Sequence, residues 1–367
     1  LGVLAAKMYQ KYINKRNIKQ LNEYLDTRRL NLSNQIKKVL HILPTMTCFG
    51  KCSYCYNQDV IINTDYKCLE PYQLKSFLDD INNKDIEMIR FYGGEPGLAY
   101  LNLFRYVLIV DDISPNLKDI YISSSLLFSD EIFDGFYRAI KQITEQLPHL
   151  NIQIGSTTDF GSIPFTRGCH TNNISQKDIL KRMHLLSLLN INVKVNNILT
   201  SQTNINKFKL DLDYCLIEYP NIEIRIVIAN DDFFIPSKSF LRQFYFFIKP
   251  YILKEDNIYC NYRYEEKLDQ TFKLNLDCGI YSNLLTIGAD GQRLNCHYKL
   301  DKYEELEDSN NFDFMVNLNE KCLNCPALFV CNGGCVLRHN NQSKNTDGIY
   351  CYWIKLSVLL SLRRLLK

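Results

Sequence analysis

The sequence predicts an α/β protein: a partial (β/α)6 TIM-like barrel followed by a loop-rich, cysteine-dense C-terminal domain. Between residues 41 and 235, apolar runs of strand length alternate with amphipathic runs of helix length. The alternation amounts to about six β–α units, and such units build a parallel sheet with helices outside it. It stops near residue 235, and Cys278 to Cys351 is turn-rich, weakly periodic and carries seven spaced cysteines.

Residues 1–38 read as helix, with Leu4, Met8, Tyr12 and Ile13 at helical spacing and then Ile18, Leu21, Leu25 and Leu30. His41–Met46 reads as the first strand and runs directly into Cys48. Glu87–Tyr92 is the next, ending in Gly93-Gly94-Glu95-Pro96. Asp119–Ile122 ends in three serines, and Ile152–Gly155 ends at Ser156-Thr157-Thr158. Asn192–Ile198 and Ile222–Ile228 complete the set. Helical patterns over Tyr72–Asn82, Leu101–Val110, Ser129–Gln146, Ser175–Asn190 and Asn206–Glu218 separate the strands. Residues 237–253 form an aromatic, apolar helix that reads as core. The expected domains are a basic helical extension at 1–40, the barrel at 41–235, a bridging region at 236–277, the cysteine-rich domain at 278–351 and a C-terminal helix at 352–367. In a barrel of this kind chemistry belongs at the C-terminal ends of the strands.

Composition narrows the function classes. The 367 residues include 43 Lys+Arg and 40 Asp+Glu, a net charge of +3 that gives no general nucleic-acid footprint. Nine Lys/Arg against two acids in residues 1–40 make a solvated helical face or a docking surface for an acidic partner. No apolar run reaches the length of a membrane span, and no signal peptide is evident. The sequence opens on Leu1, which leaves room for an upstream segment. Fourteen cysteines without an export signal fit a cytoplasmic protein that binds metal better than one held by disulfides.

The most informative stretch is Cys48-Phe-Gly-Lys-Cys52-Ser-Tyr-Cys55. Three thiolates so spaced can hold three irons of a cubane cluster and leave the fourth open to a chelating ligand. A zinc knuckle is the competing reading. Farther on, Cys278 and Cys296 bracket Gly291 as Cys-x12-Gly-x4-Cys. Then follow Cys322-x2-Cys325-x5-Cys331-x3-Cys335 and, after fifteen residues, Cys351. A zinc ribbon competes here too, although seven ligands suit closed tetrahedral zinc poorly.

The first motif, with Tyr54 before its third cysteine, resembles that of the radical S-adenosylmethionine superfamily. The second array resembles the SPASM extension of its peptide- and protein-modifying members. This resemblance implies three 4Fe–4S clusters and S-adenosylmethionine as cosubstrate. It implies that the Gly93-Gly94-Glu95-Pro96 turn holds the cosubstrate's amino group, with backbone acceptors and Glu95 facing an ammonium. Ser123 and Ser124 match polar residues near the ribose, and Thr157 and Asp159 match a Ser-x-Asp strand end. Arg167 matches an arginine that pairs with the carboxylate. Cys322, Cys325, Cys331 and Cys351 correspond to the ligands of a distal auxiliary cluster, and Cys278, Cys296 and Cys335 to those of a proximal one. The fourth proximal position is Cys260, an open iron, or another ligand such as His297.

The implied activity is reductive cleavage of S-adenosylmethionine and hydrogen abstraction from a ribosomally made peptide, installing a crosslink, an epimerisation or a related change. His297 stands where sulfatase-maturing relatives carry an aspartate base, which argues against sulfatase maturation and leaves His297 as a candidate base or a packing residue. Maturation of a protein substrate, of the sulfatase or dehydrogenase type, and a non-catalytic iron–sulfur or zinc module are the alternatives. Expected partners are a leader-bearing peptide or protein and an electron donor of flavodoxin or ferredoxin type. The leader is read by a separate protein, by upstream sequence or by the basic N-terminal helix. Cys68, Cys169, Cys215 and Cys260 are left over, either buried structurally or placed to return a hydrogen atom.

Overall fold

The computed structural model describes residues 39–55, 57, 68–81, 84–162, 167–169, 174–229, 234–260, 284–294 and 346–365. The chain divides into two compact units, one comprising 36–236 and 283–306, the other 1–35, 237–282 and 307–367. The N-terminal helix expected over 1–38 lies outside the described residues.

In the first unit a sheet is built from β1 (Val39–Ile42), β3 (Met88–Phe91), β4 (Asp119–Ser123), β5 (Asn151–Thr158), β7 (Asn192–Leu199) and β8 (Glu223–Ile228). These are parallel and adjacent in that order. At the other edge β1 pairs in parallel with β10 (Leu284–Ile287), which turns back antiparallel into β11 (Arg293–Leu294). A separate two-stranded ladder joins β2 (Gly50–Cys52) and β6 (Arg167–Cys169). Helices α1 (Pro71–Ile81), α2 (Tyr100–Ile113), α3 (Asp130–Gln146), α4 (Gln176–Ser187) and α5 (Ile205–Glu218) fall between the strands. The core is therefore α/β, a central sheet flanked by helices.

Strand alternation sorts the two faces. Ile89 and Phe91, Ile120 and Ile122, Val193 and Val195, Ile224 and Ile226 are buried, and Phe91 meets Tyr106 of α2 with ring centroids 6.3 Å apart. The intervening residues, among them Arg90, Tyr121 and Lys194, are half-buried and polar. A two-residue period puts alternate side chains on opposite faces, so the apolar set packs under the helices and the polar set lines the other side. Helix starts follow the same local logic. Ser129 caps α3 by accepting from Ile132 N, and Ser175 with Asp178 forms a capping box at α4.

The first strand ends earlier than its expected limit at Met46. Pro44 has no N–H to offer a ladder, and its carbonyl accepts from Leu69 N instead, while Thr45 bridges to Cys68. Residues 43–47 thus leave the sheet and become available to the turn after β3. Gly291, the glycine of the second cysteine array, sits at φ +85 in the β10–β11 turn, where Gly291 N donates to Gly288 O. A left-handed residue there favours glycine.

In the second unit α6 (Lys238–Lys254), β9 (Ile258–Cys260) and α7 (Thr346–Leu365) are described. Trp353, fully buried, meets Phe244 at 6.2 Å. Arg364 caps the C-terminal end of α6, its guanidinium donating to the carbonyls of Ile252, Glu255 and Ile258. Among the described residues no helix is long and apolar enough to cross a membrane.

Candidate active site

The chain leaves β3 through Tyr92 and turns at Gly93. Gly93 has φ +117, and a Cβ there would stand 2.6 Å from Thr45 O. At Gly94 a Cβ would stand 2.3 Å from Thr47 O and 2.4 Å from Met46 O. Only glycines let the two backbones come this close. The approach is fixed by hydrogen bonds from Gly94 N to Thr45 O at 2.9 Å and from Glu95 N to Thr47 O at 2.8 Å. The turn is thereby bound to the three residues that lead into Cys48.

Glu95 is 1% exposed. Its Oε1 accepts from Gly97 N at 2.9 Å and from Ser124 Oγ at 2.6 Å; its Oε2 accepts from Ser125 N at 2.6 Å and from Ser125 Oγ. Burial pushes the carboxyl pKa up, and the donors from Ser124, Ser125 and Gly97 pull it back. A carboxylate offers about four acceptor positions, and four donors occupy them. Glu95 therefore joins the end of β3 to the end of β4. It also caps the 3-10 turn Pro96–Ala99, with Pro96 at the first position. The Glu95 carboxyl is thus engaged by donors of the chain itself, beside the backbone carbonyls of its turn. The Ser124 side chain is 2% exposed and turned to Glu95, while Ser123 at the end of β4 is half-buried.

The bend after β4 is held from both sides. Leu126 has φ +56, an uncommon conformation for a branched residue, and its N–H donates to Ser124 Oγ. Arg182 of α4, 6% exposed, donates to Leu126 O at 2.6 Å, to Phe128 O at 2.7 Å and to Asp130 at 2.6 Å. Leu127 is thereby set against the cysteine loop, 3.5 Å from where a Cβ of Gly50 would stand.

The cysteine loop is anchored at three points. In the β2–β6 ladder Gly50 lies opposite Cys169 and Cys52 opposite Arg167. Tyr54 Oη donates to Asp159 Oδ1 at 2.6 Å, reaching the end of β5. Cys55 N donates to Cys52 O at 3.0 Å, which closes the last turn of the loop. Gly50 N donates to Cys48 Sγ at 3.3 Å, and a Cβ on Gly50 would stand 3.4 Å from Cys48 Sγ and 3.7 Å from Cys52 Sγ. Burial raises the Cys48 pKa to about 12, helped by the negative charges of Glu95, Cys52 and Cys55. Thiols that oppose one another's ionisation are stabilised as thiolates by a cation among them. This donor set fits an iron–sulfur cluster. Among the described residues no three His, Cys, Asp or Glu side chains converge as ligands of one metal ion. A cubane takes one thiolate per iron, so its ligands stand farther apart than those of a single ion.

Thr157 lies on the half-buried face of β5, and Asp159 is 4% exposed. Arg167 is placed by backbone register opposite Cys52. Cys260 is 3% exposed in β9, and Cys351 is half-buried in α7. Cys215 is fully buried, with its pKa raised to about 12 by desolvation, as a packed thiol. Cys278, Cys296, His297, Cys322, Cys325, Cys331 and Cys335 lie outside the described residues. The sequence did not point to Ser125 or Arg182, nor to the pairing of the cysteine loop with β6. Three-residue strands reading Gly-Lys-Cys and Arg-Gly-Cys carry no apolar alternation by which to find them.

Residues 39–144 match the family of 4Fe-4S single cluster domains. No curated protein sequence matches the chain. Among solved structures it is similar to native anSMEcpe with bound AdoMet, at TM-score 0.64 and 19% identity over 89% of this chain and 98% of that one. Streptococcus suis SuiB bound to S-adenosylmethionine is similar at TM-score 0.57 and 14% identity over 84% of this chain and 75% of that one. The same protein bound to its precursor peptide SuiA gives TM-score 0.59 and 14% identity over 89% and 79%. The cysteine loop thus lies within the segment that matches a 4Fe-4S single cluster domain, and the fold is similar to that of solved structures with bound S-adenosylmethionine.

Proposed function

We propose that the protein is a radical S-adenosylmethionine enzyme that modifies a ribosomally made, leader-bearing peptide. The observation that carries this is the joining of the Cys48–Cys55 loop to the Gly93–Gly94 turn through residues 45–47. When bound to three thiolates and reduced, a 4Fe–4S cluster with one open iron supplies the electron that cleaves S-adenosylmethionine to methionine and a 5′-deoxyadenosyl radical. Cys48, Cys52 and Cys55 hold that cluster. Backbone carbonyls of the Gly93–Pro96 turn receive the methionyl ammonium, and Arg167 receives its carboxylate. Ser123 and Thr157, half-buried at neighbouring strand ends, border the ribose. Anchoring by Tyr54 and Asp159 keeps the loop in place during turnover.

A partial barrel over 41–235 is the catalytic domain in this reading, and 278–351 is the auxiliary-cluster domain. Cys322, Cys325, Cys331 and Cys351 ligate the distal auxiliary cluster, and Cys278, Cys296 and Cys335 the proximal one. Cys260, buried in β9, completes the proximal cluster or leaves its place to an open iron. His297 is a candidate base, and a flavodoxin- or ferredoxin-type donor supplies electrons in the cytoplasm. Peptide substrates are supported by the fold relatives: one bears the precursor peptide SuiA and another a Cp18Cys peptide.

Anaerobically reconstituted protein is expected to hold about 12 iron atoms per chain and to form 5′-deoxyadenosine once reduced. Replacing Cys48, Cys52 and Cys55 by Ala should remove about a third of the iron and all of the product. Stoichiometric zinc with little iron, or product formation untouched by the triple substitution, would overturn the reading.

A further inference from the structure

Arg182 of α4 carries a buried charge that the proposed chemistry does not use. It is 6% exposed, while the acid it meets, Asp130, stands almost wholly in solvent. Its guanidinium lies 5.7 Å from the ring centroid of Phe128 and 5.1 Å from that of Phe133. Withdrawing a charge from water is costly, and an apolar side chain of similar volume would fill such a space at less cost. What the guanidinium adds is direction. Its Nη1 donates to Leu126 O at 2.6 Å and to Phe128 O at 2.7 Å, so one nitrogen clamps the backbone on both sides of Leu127.

The clamped segment is bent at Leu126, whose φ of +56 a branched side chain rarely adopts. Serine hydroxyls hold it from the other side. Leu126 N donates to Ser124 Oγ at 3.1 Å and Leu127 N to Ser125 Oγ at 3.2 Å, and both hydroxyls in turn donate to Glu95. Leu127 itself is 2% exposed. Its Cδ1 stands 3.5 Å from the point that a Cβ of Gly50 would occupy, and Cys48 Sγ and Cys52 Sγ stand 3.4 Å and 3.7 Å from the same point. An apolar methyl group and two of the three thiols thus converge on one glycine. Gly50 N donates to Cys48 Sγ at 3.3 Å, whereas the Leu127 side chain has no donor to offer.

Hydrogen bonds to the sulfurs and access of water both stabilise the extra negative charge of a reduced iron–sulfur cluster, and so raise its potential. An apolar neighbour works the other way. We propose that Leu127 is the apolar cover that keeps the potential of a cluster on Cys48, Cys52 and Cys55 low, and that Arg182 is the positioning residue that holds the cover in place. The inference rests on the enzymatic reading above and deepens it, since reductive cleavage of a sulfonium needs a strongly reducing electron.

The test is an anaerobic redox titration of the reconstituted holoprotein, read on the EPR signal that the Cys48, Cys52 and Cys55 triple substitution removes. Leu127→Asn should favour the reduced form about tenfold, an upward shift of about 59 mV for one electron. Leu127→Met, which keeps the cover apolar, should titrate with the parent. Arg182→Gln should shift the signal upward as well, and Arg182→Lys should recover part of the difference. In the Leu127→Asn background Arg182→Gln should add nothing, because both act through the same side chain. An unmoved potential in Leu127→Asn overturns the proposal whether or not the Arg182 variants fold. Equal shifts in Leu127→Asn and Leu127→Met overturn it too, since packing and not polarity would then be at work. Fully additive shifts remove Arg182 from its positioning role. If no EPR signal depends on the three cysteines, the enzymatic reading falls and this inference with it; a dependent signal whose potential ignores Leu127 counts against this inference alone.

Discussion

The turn after β3 and the cysteine loop beside it are built on opposite terms. Around Glu95 each acceptor position has a donor from the chain itself, and the two glycines are closed against backbone. In the loop burial pushes the Cys48 thiol up to about 12, with the neighbouring Glu95, Cys52 and Cys55 adding to it, so a cation there would complete the arrangement. The turn is finished scaffold and the loop is receptor. Substitutions in the first should therefore cost stability in the metal-free chain, and substitutions in the second should cost metal.

The sharpest contrast is expected at Glu95. Glu95→Ala would leave two serine hydroxyls and two backbone N–H groups without their acceptor, a loss of about 3 kcal/mol or more in urea unfolding of the metal-free chain. A change below about 1 kcal/mol would mean that the carboxylate is not the joint described. Gly94→Ala should cost about 2 kcal/mol, because its Cβ meets Met46 and Thr47 backbone that cannot swing aside. It should also lower iron uptake, since those residues lead into Cys48.

Tyr54→Phe removes one hydrogen bond to a buried carboxylate and should cost about 1.5 kcal/mol. Iron should then be lost faster to a chelator, which Tyr54→Ala would accelerate further. The smallest effect on the metal-free chain is expected from replacing Cys48, Cys52 and Cys55 together by Ala, within about 0.5 kcal/mol of the parent. If that triple substitution destabilised the metal-free chain as strongly as Glu95→Ala, the distinction between scaffold and receptor would fall.

The sequence reveals the parts of this site that are local. Strand and helix periods place β3, β4 and β5 within a few residues, and the cysteine spacing stands on one short segment. What it hides is long-range. That the Glu95 carboxyl is met by Ser124 and Ser125, about 30 residues away in sequence, cannot be read from its own turn. Arg182 lies in a Lys-Asp-Ile-Leu-Lys-Arg run that reads as a solvated helix face. Only folding brings Leu126 and Phe128 carbonyls to its buried guanidinium. Alternation along β3, β4 and β7 does show which residues share a face, but not that Lys194 leans across β5 to Tyr121.

The β2–β6 ladder sets a timetable. Cys52 pairs with Arg167, a separation of 167 − 52 = 115 residues. A ribosome that has released the three cysteines has still to make β3, β4 and β5 before the strand that braces them exists. Contacts so distant in sequence form late, because the intervening chain must first be ordered. Until then the thiols are exposed on an unbraced segment, open to adventitious metals and oxidants. Metal loading is thus placed after β3, β4 and β5 have been made, and the nascent chain passes through a period in which its most reactive side chains are its least protected ones.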